Sequence, residues 1–360
     1  MEFCSFKLGA GLGVGCRMLR RLGALISVVL VCCGCPVHQW PDPYLPGPDP
    51  DSDRRVAVFL RYAPDFRYWE HLYDPRLGAV EELDSGSDAV YSNLAVTGVM
   101  DIWLKVYGAG DMEQCLGEYS CSRDVAEGYD CEVELELPAG EYDLVVWSHL
   151  REDGEAEPFY EMQDLRGIRI IDGNYRGSTD YRDAFRGRES IRVPAAGDDA
   201  FCEVAMRRPM GKFEFVTTDL AEFLERETQN LGRTVRANAE DYRVVISYPY
   251  YYPNSYNVIA DDHGSDSGYR FETRMTVTGE DEASMGFDYV FIRDIEDGAV
   301  QAQVSVYDLD GRLAANSQVI TIPIRRDRHT VLRGAFLLLG ASGGVGVDPD
   351  YDGDHNVLIP

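Results

Sequence analysis

The chain has 360 residues, with 34 Lys and Arg against 62 Asp and Glu, a formal net charge of −28, and 45% hydrophobic residues. So acidic a surface repels nucleic acid and anionic membrane, while the apolar fraction is that of a folded chain and not of a disordered one. The six His residues are scattered, and Cys115, Cys121, Cys131 and Cys202 contain no C-x-x-C pair, so no Cys/His zinc pattern emerges.

Met18-Leu19-Arg20-Arg21 is a short basic segment, and Leu22 to Gly34 follows without a charge. That run is too short to span a bilayer as a helix but suits a signal-peptide core. It ends Cys32-Cys33-Gly34-Cys35, which resembles the lipobox of bacterial lipoproteins, with small Gly34 ahead of the Cys to be acylated. Cys32 stands where that motif usually has Leu. Cys32 and Cys33 lack a Gly, Ala or Ser in front, so Cys35 is the expected lipidation site; an ordinary cleaved signal peptide or a short anchor is the competing reading. Residues 1–34 form the signal, with Met18 its expected true start. Without them the chain has 30 basic residues against 61 acidic, a net of −31. Residues 35–54 are rich in Pro and Asp, tend toward extended polyproline II, and read as a tether.

Roughly 300 residues beyond the tether suggest two domains. Strands are expected at Val56–Tyr62 and Met100–Tyr107. Cys131 to Leu137 alternates, with three Glu on one face and Cys131, Val133, Leu135 and Leu137 on the other, the pattern of a half-buried strand. Pro138-Ala139-Gly140 then turns the chain into Tyr142–His149, giving an expected hairpin that ends in a buried Trp147. Arg151 to Ala200 reads as loops with a few strands, and Cys202–Arg207 as the closing strand of this block. Of the four cysteines, Cys115 with Cys121 would close a short loop, a buried thiol is as good a reading for Cys131, and the connectivity stays open. Gly211–Thr217 opens a second block. Asp219 with Glu222 three residues on can form a capping box for one helix, whose apolar stripe is Leu220, Phe223 and Leu224 and whose stop is Gly232. Further strands are expected at 242–248, 256–259, 271–277, 287–292, 299–307, 317–324 and 330–338. Many short strands at regular spacing argue for β-sandwiches.

Four stretches carry a family resemblance. They are Pro138 to Trp147, Arg207 to Thr218, Asp308-Leu309-Asp310-Gly311-Arg312, and Ile322 to Gly334. In order and spacing, over roughly residues 50 to 345, the chain resembles the fimbrillin-type surface lipoproteins of Bacteroidales, which include fimbrial anchor and accessory subunits. The resemblance implies an all-β fold of two tandem transthyretin-like β-sandwich domains, the second with one short helix. It divides the chain into a first domain at 55–207, a second at 208–345 and an acidic C-terminal segment at 346–360. It also implies a lipid-anchored, surface-exposed place on the cell outer membrane, held by acyl chains on Cys35. The expected role is fimbrial anchoring, assembly or adhesion, with fimbrial subunits, a host protein or a glycan as partner. A stand-alone surface lipoprotein that binds glycan or protein and assembles nothing is the alternative. Polymerising members are cut after an Arg ahead of the first strand, which frees a groove for a partner's strand. Arg54 and Arg55 stand at such a place, although a basic pair beside an acidic tether is also ordinary charge patterning.

Other chemistry is slight, and no enzyme is expected. Gly340-Ala341-Ser342-Gly343-Gly344 matches the G-x-S-x-G elbow, but too few residues follow to build the sheet a triad needs, and a glycine-rich loop is the better reading. Asp348, Asp350, Asp352 and Asp354, with Gly353, resemble the opening of a calcium loop. Ile359 stands where its bidentate acid belongs, so a solvated acidic turn competes with a weak calcium site. No other cofactor is indicated. Tyr248, Tyr250, Tyr251 and Tyr252 form an aromatic cluster that would serve as a binding surface or as ordinary strand residues. Asp261-Asp262-His263 could be a metal-ligand fragment, but a polar loop before Gly264 is the better reading.

Overall fold

The computed structural model describes residues 53–83, 90–92, 96–154, 159–162, 164–171, 175–195, 199–230, 237–293 and 298–338. Its first strands are β1 (Arg54–Tyr62), β2 (Asp65–Asp74), β3 (Ala79–Glu82), β4 (Val90–Ser92), β5 (Val99–Gly108), β6 (Asp111–Asp124), β7 (Cys131–Leu137), β8 (Gly140–Arg151), β9 (Tyr160–Glu161), β10 (Ile168–Ile170), β11 (Ala184–Val193) and β12 (Ala200–Met206). After these come β13 (Met210–Thr217), the helix α1 (Leu220–Asn230), β14 (Arg243–Ser247), β15 (Tyr251–Asn257), β16 (Asp262–Ser267), β17 (Arg270–Arg274), β18 (Thr276–Val277) and β19 (Ala283–Phe291). The last strands are β20 (Gly298–Tyr307), β21 (Leu313–Asn316), β22 (Ile320–Ile324) and β23 (Arg328–Gly334). The fold is all-β with one short helix after β13, as the alternation and the capping signal predict. Among the described residues no helix is long and apolar enough to cross a membrane.

A three-stranded sheet, β12-β1-β7, and a four-stranded sheet, β11-β8-β5-β6, enclose the first core. Strict alternation sends Val56, Val58 and Leu60 of β1 inward, where they meet Ile102, Leu104, Leu144 and Val146 of the facing sheet. The expected hairpin at 131–149 is not one. β7 pairs with β1, whereas β8 pairs with β5 and β11, so Pro138–Gly140 carries the chain from one sheet to the other. Two apolar strands flanking a turn look alike in sequence whether they pair or face each other across a core. Trp147 is fully buried, as expected.

The second core, around Phe213, Phe215, Ile246, Val304 and Leu332, lies among three sheets. Their orders are β18-β19-β13-β23-β2-β3 with β4 on β2, β17-β14-β20-β21 with β22 on β20, and β16-β15-β10-β9. β2 therefore leaves the first block at once and runs parallel to β23, Arg67 opposite Arg328 through Tyr73 opposite Gly334. β10 pairs with β15. β2, β3, β4, β9 and β10 are thus built into sheets of much later strands, and these pairings cross the boundary expected at 207/208. Long-range parallel pairing leaves no local mark that spacing can reveal.

Helix α1 buries Leu220, Phe223 and Leu224 as expected, but its start is held differently. The Asp219 carboxylate accepts N–H bonds from Leu337 and Leu338, at distances of 2.8–3.3 Å. Ala221 N–H instead donates to Asp281 Oδ1 at 2.8 Å. A carboxylate from a distant loop satisfies the helix end, while the local one ties down the chain after β23. Gly232 lies outside the described residues.

The chain passes between the blocks several times, and Arg208 sits where the crossings after β1 and after β12 meet. It is fully buried and grips Asp183, also fully buried, through two hydrogen bonds of 2.7 Å. Its remaining N–H groups donate to the carbonyls of Ala63, Pro64 and Asp65, at 3.2, 2.5 and 3.2 Å. Its guanidinium stacks on Phe66 and Phe185, 3.8 and 4.8 Å from the ring centres. A bidentate fork fits here where a lysine would not.

Candidate functional site

The first sandwich has two long sides, finished in different ways. On one, β11 of one sheet meets β12 of the other: Arg186 and the adjoining Arg207 exchange two backbone hydrogen bonds of 2.8 Å. Gly187 allows this approach, since a Cβ there would stand 2.5 Å from Val204 Cγ1 and 2.6 Å from Met206 Sδ. On the other side, β6 and β7 are the last strands of their sheets, and neither has an outer partner among the described residues. β6 is 14 residues long. Its beginning is irregular, with register shifts around Tyr107, but Gly117 to Asp124 pairs regularly with Val106 to Val99. This stretch has neither Lys nor Pro, the residues that commonly blunt an exposed edge.

Between β6 and β7 lies a cleft of about 380 Å³, counting its open mouth. Ile102, Leu104, Tyr119, Cys121 and Val133 give it an apolar floor, and Ser120, Glu132 and Glu134 complete its lining. Its closed end is well fixed. Asp124 Oδ1 accepts the Ala126 N–H at 2.8 Å, and Gly128 takes a φ of 101° that suits glycine. Arg123 Nη1 donates to the Asp130 carbonyl at 2.9 Å, and Tyr62 N–H donates to Asp130 Oδ1 at 2.8 Å. The result is two sheet edges without an outer strand among the described residues, beside an apolar slot, an arrangement suited to accepting an extended strand.

The residues singled out in the sequence are dispersed. Arg54 and Arg55 are the first two residues of β1, opposite Leu137 and Glu136, and not part of the linker ahead of it. Arg54 also donates to the Ala195 carbonyl at 2.6 Å. The tyrosine cluster splits, because alternation and the turn send its members in opposite directions. Tyr248 and Tyr252 are buried, so they cannot form a binding surface, while Tyr250 and Tyr251 are 56% and 72% exposed. The Tyr248 and Tyr175 hydroxyls donate to buried Asp288, which also pairs with Arg182, and the Tyr252 hydroxyl donates to the Tyr289 carbonyl at 2.6 Å. Burial pushes the Tyr248 hydroxyl well above its ordinary value, with the Asp288 charge pushing the same way. Asp261 takes hydrogen bonds from Arg186 at 2.9 Å and from Arg326 at 2.5 Å. Burial opposes its charge, but the bonds from Arg326 and Tyr256 outweigh that and hold the carboxyl below the usual range.

Cys115 and Cys121 share one extended strand, six residues and therefore about 20 Å apart, which rules out the short loop they suggested. Cys35, Ser342, Asp348, Asp350, Asp352 and Asp354 lie outside the described residues. Among the described residues no group of His, Cys, Asp or Glu is placed to hold a metal ion. No strand is expected over β6 from sequence, because Asp-Met-Glu-Gln-Cys-Leu-Gly-Glu-Tyr-Ser-Cys-Ser-Arg-Asp has no clean alternation. Tyr119 and Cys121, two apart, were the available signal.

A family model matches residues 98–360, nearly three quarters of the chain. The chain belongs to DUF6562, a family of unknown function. No curated protein matches its sequence. Among solved structures, the DUF6562 chain is similar to a candidate cell-adhesion protein from Bacteroides eggerthii, with 11% identity, a TM-score of 0.43, and 84% of this chain and 93% of that one covered. It is similar to a candidate polysaccharide-binding protein from Bacteroides thetaiotaomicron at 11% identity and a TM-score of 0.41, covering 73% and 80%. It is also similar to the fimbrial anchor protein Mfa2 from Porphyromonas gingivalis at 11% identity and a TM-score of 0.35, covering 73% and 82%.

Proposed function

We propose that this DUF6562 chain is a surface lipoprotein of fimbrillin type, held to the outer membrane by acyl chains on Cys35. It acts in fimbrial anchoring, assembly or adhesion, by taking an extended segment of a partner chain along β6. The observation that carries this reading is the regular stretch Gly117–Asp124, which has no outer strand among the described residues and lies beside the apolar cleft shared with β7. Strand addition draws affinity from main-chain hydrogen bonds and specificity from side-chain pockets, and the seam offers both. The lipobox, the Pro/Asp tether and the four family-like stretches agree with that setting. The test is a photo-crosslinking side chain at Ser120, irradiated on intact cells that make the protein. The expected result is a discrete higher-mass adduct, with the partner's extended segment mapped to that position. Adducts no more frequent than from exposed Leu309, on the second block, would overturn the reading.

A second reading rests on Tyr250 and Tyr251, exposed together where β14 turns into β15. Adjacent exposed aromatic rings offer flat faces for a sugar. In that case a glycan array gives signals that the double variant Tyr250→Ala, Tyr251→Ala removes. An array with nothing above background counts against it.

A further inference from the structure

Cys121 and Cys131 occupy the two strands that flank the seam, one in each sheet. Cys121 stands opposite Ile102 and lines the cleft, while Cys131 stands opposite Leu60 at the start of β7. Both are partly buried and pack against the same apolar core. Facing sheets normally lie about 10 Å apart, too far for a disulfide between their centres. Here the two strands are joined by residues 125–130 alone, and Arg123 draws their ends together. Its guanidinium reaches both the Asp130 carbonyl and the Cys131 thiol. The Tyr62 ring crosses the core from β1, and its hydroxyl lies within electrostatic reach of both thiols.

The alternatives fit poorly. Cys115 is at the far end of β6, opposite Tyr107, with its Sγ on the Gly117 carbonyl at 3.2 Å. Cys202 is on β12, separated from β7 by the whole width of β1.

We propose that Cys121 and Cys131 are a modification site, a disulfide that ties β6 to β7 near the closed end of the seam. The oxidant is an external disulfide, carried by a small thiol or by a thiol–disulfide protein outside the cytoplasm. One protein thiolate attacks a carrier sulfur, and the mixed disulfide that forms is resolved by the second protein thiol. Two electrons and two protons leave the pair, and the carrier departs as two thiols. The bond closes a short loop at one end of the slot that the preceding reading assigns to a partner strand; it rests on that reading only for an oxidising setting outside the cytoplasm, not for the strand addition.

Trypsin separates the relevant cysteines, because it cuts after Lys105, Arg123 and Arg151. Purified protein is treated with oxidised glutathione, the remaining thiols are alkylated, and the peptides are mapped without reduction. The expected product joins peptide 106–123 to peptide 124–151, and it persists in Cys115→Ala, which leaves Cys121 as the partner of Cys131. Oxidation of that variant also raises the thermal midpoint by about 5 °C. If the joined peptides vanish in Cys115→Ala, or if both Cys121 and Cys131 stay open to alkylation, the proposal is wrong.

Discussion

On the β11–β12 side of the first sandwich, backbone hydrogen bonds cross between the sheets, and a glycine at position 187 lets them touch. Nearby, Arg208 and Asp183 are fully buried and fully paired. On the β6–β7 side, the same two sheets end in strands with no outer partner among the described residues, over an apolar slot. One side joins its sheets by backbone hydrogen bonds; the other shows none across its seam among the described residues. On the proposed reading, stability is concentrated at the closed side and recognition at the open one, and this division can be tested.

The largest effect is expected from Arg208→Met. It strands the Asp183 carboxylate in the core and removes donors from the carbonyls of residues 63–65 at the crossing between blocks. Removing one partner of a buried pair costs about 3–5 kcal/mol, read as a lower urea midpoint. Adding Asp183→Leu removes the stranded charge and should recover part of that loss, so the double variant should be more stable than the single one. A single variant of wild-type stability would remove Arg208 from its place as the hinge of the closed side.

Acid should act next. His149 on β8 is fully buried, accepts the Trp147 indole N–H at 3.2 Å, and stacks on Trp103. Burial lowers its pKa to about 4, against the pull of Asp101 in the other direction. The folded state therefore binds fewer protons than the unfolded state between about pH 6.5 and pH 4. The stability contributed by neutral His149 is complete above that window and is lost as pH falls through it. Between pH 7 and pH 4.5 the loss should be about 2–3 kcal/mol, on top of what other groups contribute. His149→Phe should flatten the curve over that range, and an unchanged slope would show that His149 is already charged in the fold. Gly187→Val comes third. Its new side chain meets Val204 and Met206, and such overpacking costs about 1–3 kcal/mol, measured by denaturant titration.

Much of the scaffold was legible because alternation is a local signal. β7 appears at its predicted bounds, Cys131–Leu137, and β5, β8 and β20 within a few residues of theirs. What spacing cannot carry is the identity of a strand's neighbour. β2, rich in Tyr, Trp and His, pairs with β23 some 260 residues later, and the segment after Arg151, expected as loops with a few strands, contains β11, the strand that closes the first sandwich, at bounds that spacing does not give. The site was the least legible part. An edge strand faces solvent, so β6 carries Ser, Glu, Gly and Gln where a buried strand would carry Val and Ile. The tyrosine run, conspicuous in sequence, gives half its members to the core.

The smallest effect on stability should come from the open side, and there the two functions separate. Leu116 is 45% exposed on β6, and Ser120 is exposed beside the cleft. Leu116→Lys with Ser120→Lys removes no buried contact, so unfolding should shift by no more than about 0.5 kcal/mol. Lysines along an exposed edge are a device by which proteins prevent strand addition. The same variant should therefore lose the cross-linked adduct, with the photo-crosslinking side chain moved to Ser122, while its urea midpoint stays at the wild-type value. If the adduct persists at wild-type yield, the partner docks elsewhere and the exposed Tyr250–Tyr251 pair becomes the surface to examine. If instead the urea midpoint falls as far as in Arg208→Met, β6 is part of the folded framework and the contrast between a structural side and a recognition side collapses.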